Sequence, residues 1–121
     1  SRFYDNRRQG IFSDISDRAG LDFVGQPSSI VMGDYNNDGY LDIFIADLSA
    51  EHHAIFKNKG DGTFIKDKKS LAGVFGLNEF SAIQAKFADL DNDGYLDILV
   101  AGSAAESDKK KDGLILLHND G

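Results

Sequence analysis

The sequence predicts an all-β chain assembled from repeated units of short antiparallel strands. Two nearly identical acidic nonamers, Asp34–Asp42 (DYNNDGYLD) and Asp89–Asp97 (DLDNDGYLD), lie 55 residues apart, which indicates an internal repeat. Runs rich in β-branched and aromatic residues flank each nonamer, as is typical of strands. A glycine-rich turn, KNKGDG, lies between Phe56 and Phe64 and predicts a tight hairpin.

Size and composition limit the class of protein. A chain of 121 residues is long enough for one modest core, and 41% hydrophobic residues with nine Phe argue against disorder. The lack of Cys excludes a disulfide framework, a Cys nucleophile and a Cys-based zinc site. No apolar run approaches the ~18 residues of a membrane span, and residues 1–10 lack the apolar segment of a secretory signal. A net charge of −7 argues against binding to a nucleic-acid backbone.

The negative charge is concentrated in the two nonamers. Together they hold seven carboxylates, and the 13 acidic residues that remain balance the 13 Lys and Arg. Carboxylates packed this closely repel one another and raise one another's pKa values unless a cation joins them. The clustering therefore needs a physical reason, and a bound cation supplies one.

The spacing within each nonamer suits an oxygen-lined cation site. Oxygens at positions 1, 3 and 5 can converge if the backbone turns sharply, and Gly39 and Gly94 at position 6 permit that turn. Position 7 (Tyr40, Tyr95) can offer a backbone carbonyl, and position 9 adds a further carboxylate. Such a flexible all-oxygen loop suits calcium better than magnesium. A turn-forming Asp/Asn/Gly cluster without metal is the alternative.

An EF-hand does not fit this pattern. Its loop needs a Glu at position 12 and a helix on each side, whereas position 12 is Ile45 in one copy and Val100 in the other. The flanking segments instead have strand composition: residues 29–33 and 85–88 before the loops, and residues 41–46 and 96–101 after them. Each loop is therefore predicted to join two β-strands.

The repeat extends beyond the loops. Four residues of the predicted hairpin match an earlier segment at a constant offset of 52: Phe56, Asn58, Gly62 and Phe64 correspond to Tyr4, Asn6, Gly10 and Phe12. A third partial copy, residues 117–120 (LHND), resembles residues 56–59 (FKNK). One repeat is then strand, metal loop, strand, variable connection, strand, hairpin, strand. Four short antiparallel strands per repeat are the composition of a β-propeller blade.

The segments GDYNNDGYLDIFIA and FKNKGDGTF resemble the FG-GAP/VCBS repeat, the calcium-binding blade of integrin α-subunit propellers and of many bacterial secreted proteins. The similarity is closest to the VCBS and ASPIC/UnbV-associated versions. Because Ala46-Asp47 and Ala101-Gly102 stand where the integrin Gly-Ala-Pro signature would begin, integrin-type ligand recognition is not inferred. The resemblance implies two Ca²⁺ sites with these ligands: Asp34, Asn36, Asp38, Tyr40 and Asp42, then Asp89, Asp91, Asp93, Tyr95 and Asp97.

The predicted organisation is one repeat region with slightly more than two blades. Residues 1–27 would end one blade, residues 28–74 would form a full blade, and residues 75–121 would form most of another. Propellers typically need about four to eight blades to close. The chain would therefore be part of a longer propeller, or several copies would assemble into a ring. We expect self-association or partner contact through the blade faces.

The sequence contains no G-x-S-x-G elbow, phosphate loop or H-E-x-x-H motif. We therefore predict a non-enzymatic, calcium-stabilised scaffold for protein interaction or adhesion, located outside the cell, at its surface or in the periplasm. A carbohydrate-binding propeller module of a secreted glycan-active protein is the alternative, weakened by the absence of Trp. The adjacent His52 and His53 are expected in an exposed loop, and His118 is expected to flank a turn.

Overall fold

A computed structural model describes residues 2–72, 77–104 and 113–121. Its strands, in chain order, are β1 (Tyr4–Asn6), β2 (Phe12–Asp14), β3 (Pro27–Gly33), β4 (Asp42–Asp47), β5 (Ala54–Asn58), β6 (Phe64–Asp67), β7 (Phe80–Ala88), β8 (Asp97–Ala104) and β9 (Gly113–Leu117). One short helix, α1 (Ser16–Ala19), and a 3₁₀ turn at Leu77–Glu79 complete the described elements. The predicted all-β fold is confirmed.

The strands form three antiparallel sheets in which chain neighbours are spatial neighbours. Sheet 1 pairs β1 with β2, sheet 2 has the order β3-β4-β5-β6, and sheet 3 has the order β7-β8-β9. In sheets 2 and 3 the first two strands are joined by an acidic nonamer, and the register pairs Gly33 with Asp42 and Ala88 with Asp97. The same loop thus closes the same hairpin in both sheets.

Sheets 2 and 3 pack face to face around the larger core. Alternate side chains of β4 point to opposite faces, so Phe44 and Ala46 enter this core whereas Ile43 and Ile45 join a second cluster with Phe23. Alanines at Ala82 and Ala85 of β7 keep the contact surface shallow, which allows the sheets to approach closely. The main core consists of Phe44, Ala46, Ile55, Phe80, Ala82, Ala85, Ile98 and Val100.

The first strands of the two sheets, β3 and β7, also contact each other directly. Ser28 Oγ donates a hydrogen bond to the carbonyl of Ala82 at 2.6 Å, and the backbone N–H of Ala85 donates to Ser29 Oγ at 3.2 Å. Gly33 ends β3 where a Cβ would lie 2.8 Å from the Phe87 ring, so the close approach requires glycine. These contacts hold the two acidic loops in a defined relative position.

The expectation that His53 lies in an exposed loop is wrong. His53 is buried, and its ring stacks on Phe44 at 6.5 Å between centroids. Its Nδ1 accepts a hydrogen bond from the backbone N–H of Asp47 at 3.0 Å, so Nε2 carries the proton and donates to the carbonyl of Phe80 at 2.9 Å. The ring therefore ties sheet 2 to sheet 3. His52 is partly buried beside Ser49.

Sheets 2 and 3 each have exposed apolar side chains on the face that points away from their shared core. On sheet 2, Ile30 and Met32 of β3 lie beside an apolar cavity of about 190 Å³ that also contacts Phe3 and Leu21. On sheet 3, Leu114 and Leu116 of β9 are exposed. Within the described part of the chain, no helix is long and apolar enough to cross a membrane.

Candidate metal centre

Each acidic loop is a hairpin connection whose position-1 carboxylate organises the turn. In the first loop the Asp34 carboxylate accepts hydrogen bonds from the backbone N–H groups of Asp38 at 3.0 Å and Gly39 at 2.8 Å. In the second loop Asp89 accepts the same two bonds, from Asp93 and Gly94, both at 3.1 Å. The local fold of the two loops is therefore the same.

Two residues in each loop have left-handed backbone angles. Asn37 and Gly39 have φ values of 56° and 88°, and the equivalent Asn92 and Gly94 have 63° and 93°. A Cβ at either glycine would meet no atom within 4 Å, so the backbone angle, and not lack of space, requires glycine there. Asn is among the few other residues that tolerate this region, which accounts for the N-x-G spacing in both copies.

Three carboxylates converge in the second loop. One oxygen from each of Asp89, Asp91 and Asp93 lies within 4.8 Å of the others, and all three side chains are exposed to solvent. Calcium holds its oxygen ligands at about 2.3–2.6 Å, so two ligands of one ion lie at most about 5.2 Å apart. The separation and the all-oxygen chemistry of the group fit a single Ca²⁺ ion.

The first loop differs at position 3, where an amide replaces a carboxylate. Asn36 Nδ2 donates to Asp42 Oδ2 at 3.1 Å, and Asn36 Oδ1 accepts from the backbone N–H of Asp38 at 3.0 Å. Among the described residues, the group of three converging carboxylates is found in the second loop only. The first loop thus offers the same backbone path with one negative charge fewer.

The position-9 carboxylates are buried where β4 and β8 begin. Asp42 and Asp97 are 0% and 1% exposed. Burial raises the pKa of Asp42, helped by the nearby charge of Asp38, despite a hydrogen bond from the Asn58 N–H at 2.7 Å. Hydrogen bonds from the N–H groups of Asn119 and Leu90, at 2.9 and 3.1 Å, hold the pKa of Asp97 below its usual value.

Asn58 and Asn119 support the loops in a way that the sequence reasoning missed. Each donates its backbone N–H to the position-9 carboxylate, and each side-chain amide donates to the carbonyl of position 8, Leu41 (3.0 Å) or Leu96 (3.2 Å). The recurrence of Asn at this repeat position was the available signal. These residues support the acidic loops from the end of β5 and from the segment that follows β9.

A basic side chain also reaches each loop from the residue before that asparagine. Lys57 Nζ lies 3.6 Å from Asp38 Oδ2, and His118 Nε2 lies 3.7 Å from Asp91 Oδ2. His118 Nδ1 lies 3.0 Å from Asp97 Oδ1, and this hydrogen bond, with the charge of Asp120, raises the pKa of His118. His118 directly follows β9 and faces the acidic loop; that it flanks a turn stays a prediction.

The aromatic residues at position 7 each pack on a glycine that follows the third strand of the sheet. The Tyr40 ring lies against Gly60, where a Cβ would come within 2.5 Å of it, and the Tyr95 ring lies against Gly121 in the same way at 2.6 Å. Their backbone N–H groups donate to the Asp38 and Asp93 carboxylates at 3.0 and 2.8 Å. That their carbonyls ligate an ion stays a prediction.

Sequence comparisons relate the chain to a family of repeat proteins. The family described as FG-GAP-like repeat matches residues 1–45 and 34–100. A T-cell immunomodulatory protein homolog of Plasmodium falciparum (isolate 3D7) is 28% identical over 114 residues, which cover 82% of this chain and 16% of that protein. The chain thus spans about a sixth of its relative's length, and no solved structure matches it. By the match over most of its length, the chain belongs to the FG-GAP-like repeat family.

Proposed function

We propose that each acidic loop binds one Ca²⁺ ion and that the ions stabilise the repeat. The observation that carries this proposal is the convergence of Asp89, Asp91 and Asp93 within 4.8 Å in a loop whose hydrogen bonds recur in the first repeat. The proposed ligands are those expected from the sequence: Asp34, Asn36, Asp38, Tyr40 and Asp42 in one loop, and Asp89, Asp91, Asp93, Tyr95 and Asp97 in the other.

The proposed role of the ions is structural. Two Ca²⁺ ions would reduce the net charge from −7 to −3 and relieve repulsion among the clustered carboxylates. Since β3 and β4 enter and leave one loop, and β7 and β8 the other, an ion in each loop fixes the direction of both strands. Binding to the folded state alone would stabilise it by about 4 kcal/mol at a thousand-fold excess over Kd.

At the level of the whole chain we propose a non-catalytic propeller scaffold for protein interaction, working outside the cell, at its surface or in the periplasm. Family membership and the relative named above support a scaffold. The exposed apolar residues Ile30, Met32, Leu114 and Leu116 support contact with further blades, in the same chain or another copy. A carbohydrate-binding role stays a prediction.

We further propose that each sheet is one blade, complete in sheet 2 and partial in sheets 1 and 3. The proposed blade limits are residues 1–27, 28–74 and 75–121. The limit between residues 74 and 75 lies outside the described residues. Sheet 2 supplies the four-stranded pattern against which the others are compared.

Isothermal titration with CaCl₂ tests the calcium proposal. We expect two ions per chain, with the loss of one ion in Asp38→Ala and of the other in Asp93→Ala. Asp61→Ala is a matched control, because Asp61 caps the neighbouring hairpin by accepting from the Thr63 N–H at 2.9 Å and lies outside both loops. Absence of binding to the unmodified chain, or an equal loss in Asp61→Ala, would contradict the proposal.

A further inference from the structure

We infer that the two loops are energetically coupled, so that an ion in one strengthens binding in the other; this rests on the calcium binding proposed above. Asn37 Nδ2 donates a hydrogen bond to the carbonyl of Gly94 at 3.0 Å, between residues 57 positions apart. Asn37 is position 4 of the first loop. Gly94 is position 6 of the second loop, between the proposed ligands Asp93 and Tyr95.

Asn119 also joins the loops, through one side-chain hydrogen bond to each. Its side-chain amide donates to the carbonyl of Tyr35 in the first loop at 2.8 Å and to that of Leu96 in the second loop at 3.2 Å. Its backbone N–H donates to the Asp97 carboxylate at 2.9 Å. One residue therefore touches the backbone of both loops and a proposed ligand of the second.

The physical basis of the coupling is shared ordering. An ion that fixes the first loop also fixes Asn37, and through it the carbonyl of Gly94, so the second loop loses less conformational entropy when its own ion binds. The charge of the first ion acts in the opposite direction, because it repels a second cation. The hydrogen-bonded contribution therefore has to be measured separately from the charge contribution.

The second loop provides a matched control for Asn37. Asn92 occupies the same position 4, with φ of 63° against 56° for Asn37. Within the described ranges its side chain makes no hydrogen bond to the first loop. Glycine tolerates this backbone angle, so Asn37→Gly and Asn92→Gly make the same change, and only the first removes an inter-loop bond.

Nuclear magnetic resonance can follow each site through its own glycine amide, since Gly39 and Gly94 donate to the position-1 carboxylates. We would titrate CaCl₂ into the full chain and into Asp38→Ala, which disables the first site. The quantity of interest is the factor by which this substitution changes second-site affinity. It is measured again in the Asn37→Gly and Asn92→Gly backgrounds.

The charge contribution is the same in every background and cancels in this comparison. In the Asn37→Gly background, we expect Asp38→Ala to weaken the second site about threefold to tenfold less than it does in the otherwise unmodified chain. This is the change expected when the coupling from one hydrogen bond is lost. In Asn92→Gly the factor should not change. An unchanged factor in Asn37→Gly, or an equal change in Asn92→Gly, would overturn the coupling alone. If neither amide responds to calcium, the coupling and the proposed calcium binding are both contradicted.

Discussion

At the scale of single residues, the side chain that precedes each supporting asparagine places a basic group beside the acidic loop. Lys57 Nζ is 3.6 Å from Asp38 in the first loop, and His118 takes the equivalent place in the second. A cation so close to a proposed ligand competes with calcium for the same carboxylate. Lys57 and His118 lie outside the proposed ligand set, and we expect both to lower the calcium affinity of the proposed sites.

Lys57→Gln should therefore increase calcium affinity at the first site. We expect a gain of about twofold to fivefold, because exposed ion pairs contribute at most about 1 kcal/mol. Lys59→Gln makes the same change two residues away, where the ammonium lies 3.9 Å from Asp61, and should leave the affinity unchanged. Isothermal titration of both variants checks this, and an equal gain in both would indicate a general charge effect only.

The single difference in ligand chemistry between the loops, Asn36 against Asp91, predicts a difference in affinity. The second site should bind calcium more tightly, since affinity rises with the number of ligand charges. Reciprocal substitution tests this: Asn36→Asp should strengthen the first site and Asp91→Asn should weaken the second, each on the order of tenfold. Calcium titration follows both variants. An unchanged affinity of the second site in Asp91→Asn would contradict the ranking.

A pair outside the ligand set, Tyr35 and Asp67, makes stability depend on pH. Burial raises the pKa of Tyr35 to about 12, and its hydroxyl donates to Asp67 at 2.8 Å. Burial would raise the pKa of Asp67, but hydrogen bonds from Ser70, Lys69 and Tyr35 outweigh it and lower the pKa to about 2.

Because the pKa of Asp67 is lower in the folded state than the ordinary 3.8, its contribution is complete above pH 4 and is lost as pH falls towards 2. Asp67→Asn should reduce the fall in the free energy of unfolding between pH 4 and pH 2 by at most about 2 kcal/mol. Urea unfolding at several pH values measures the effect, without added calcium. An unchanged slope between pH 4 and pH 2 would show that other groups cause the acid sensitivity.

The sequence predicted the position of the loops better than the contacts that support them. The spacing of the acidic residues predicts that Asp89, Asp91 and Asp93 converge, because the members of this cluster are close in sequence. Asn58 and Asn119 act mainly through backbone N–H groups from segments distant in the chain, so the recurrence of Asn marks a repeat position but does not reveal its contact with the loop. His53 was misplaced for the same reason, since its burial depends on partners in another sheet.

At the scale of strands and hairpins, the repeat predicted the central strands well. Segment 41–46 corresponds to β4 and segment 96–101 to the first part of β8. The prediction placed the strand before the second loop at residues 85–88, whereas β7 begins at Phe80. The register shift between Ala82 and Gln84 explains this difference, because a bulge interrupts the alternation that marks a strand. The short α1 was also not predicted, since four residues carry no helical periodicity.

The contact between sheets 2 and 3 should contribute much of the stability. Phe44 of β4 is 0% exposed in this core, so Phe44→Ala should lower the free energy of unfolding by about 3–5 kcal/mol. Ile65→Ala is the matched control, because Ile65 of β6 is 57% exposed and should cost less than about 1 kcal/mol. Denaturant unfolding of both variants measures this. Similar losses would mean that the sheet contact is not the main core.

At the scale of the whole molecule, two short loops hold a charge of −7 that the rest of the chain does not balance. Around them, sheets 2 and 3 share one core while their outer faces expose apolar side chains such as Met32 and Leu116. Two Ca²⁺ ions would offset four of the seven negative charges of the loops, and further blades would cover the faces. Stability of the chain is therefore proposed to depend on an ion and on a neighbour, which act at separate places.

Thermal unfolding of the full chain in millimolar CaCl₂, compared with excess chelator, tests the central claim most directly. We predict a cooperative transition at a clearly higher temperature in calcium, with a stabilisation of about 4 kcal/mol at a thousand-fold excess over Kd. The same concentration of MgCl₂ should give a smaller shift, because the loops offer flexible oxygen ligands. Coincident unfolding curves in calcium and in chelator would contradict the account.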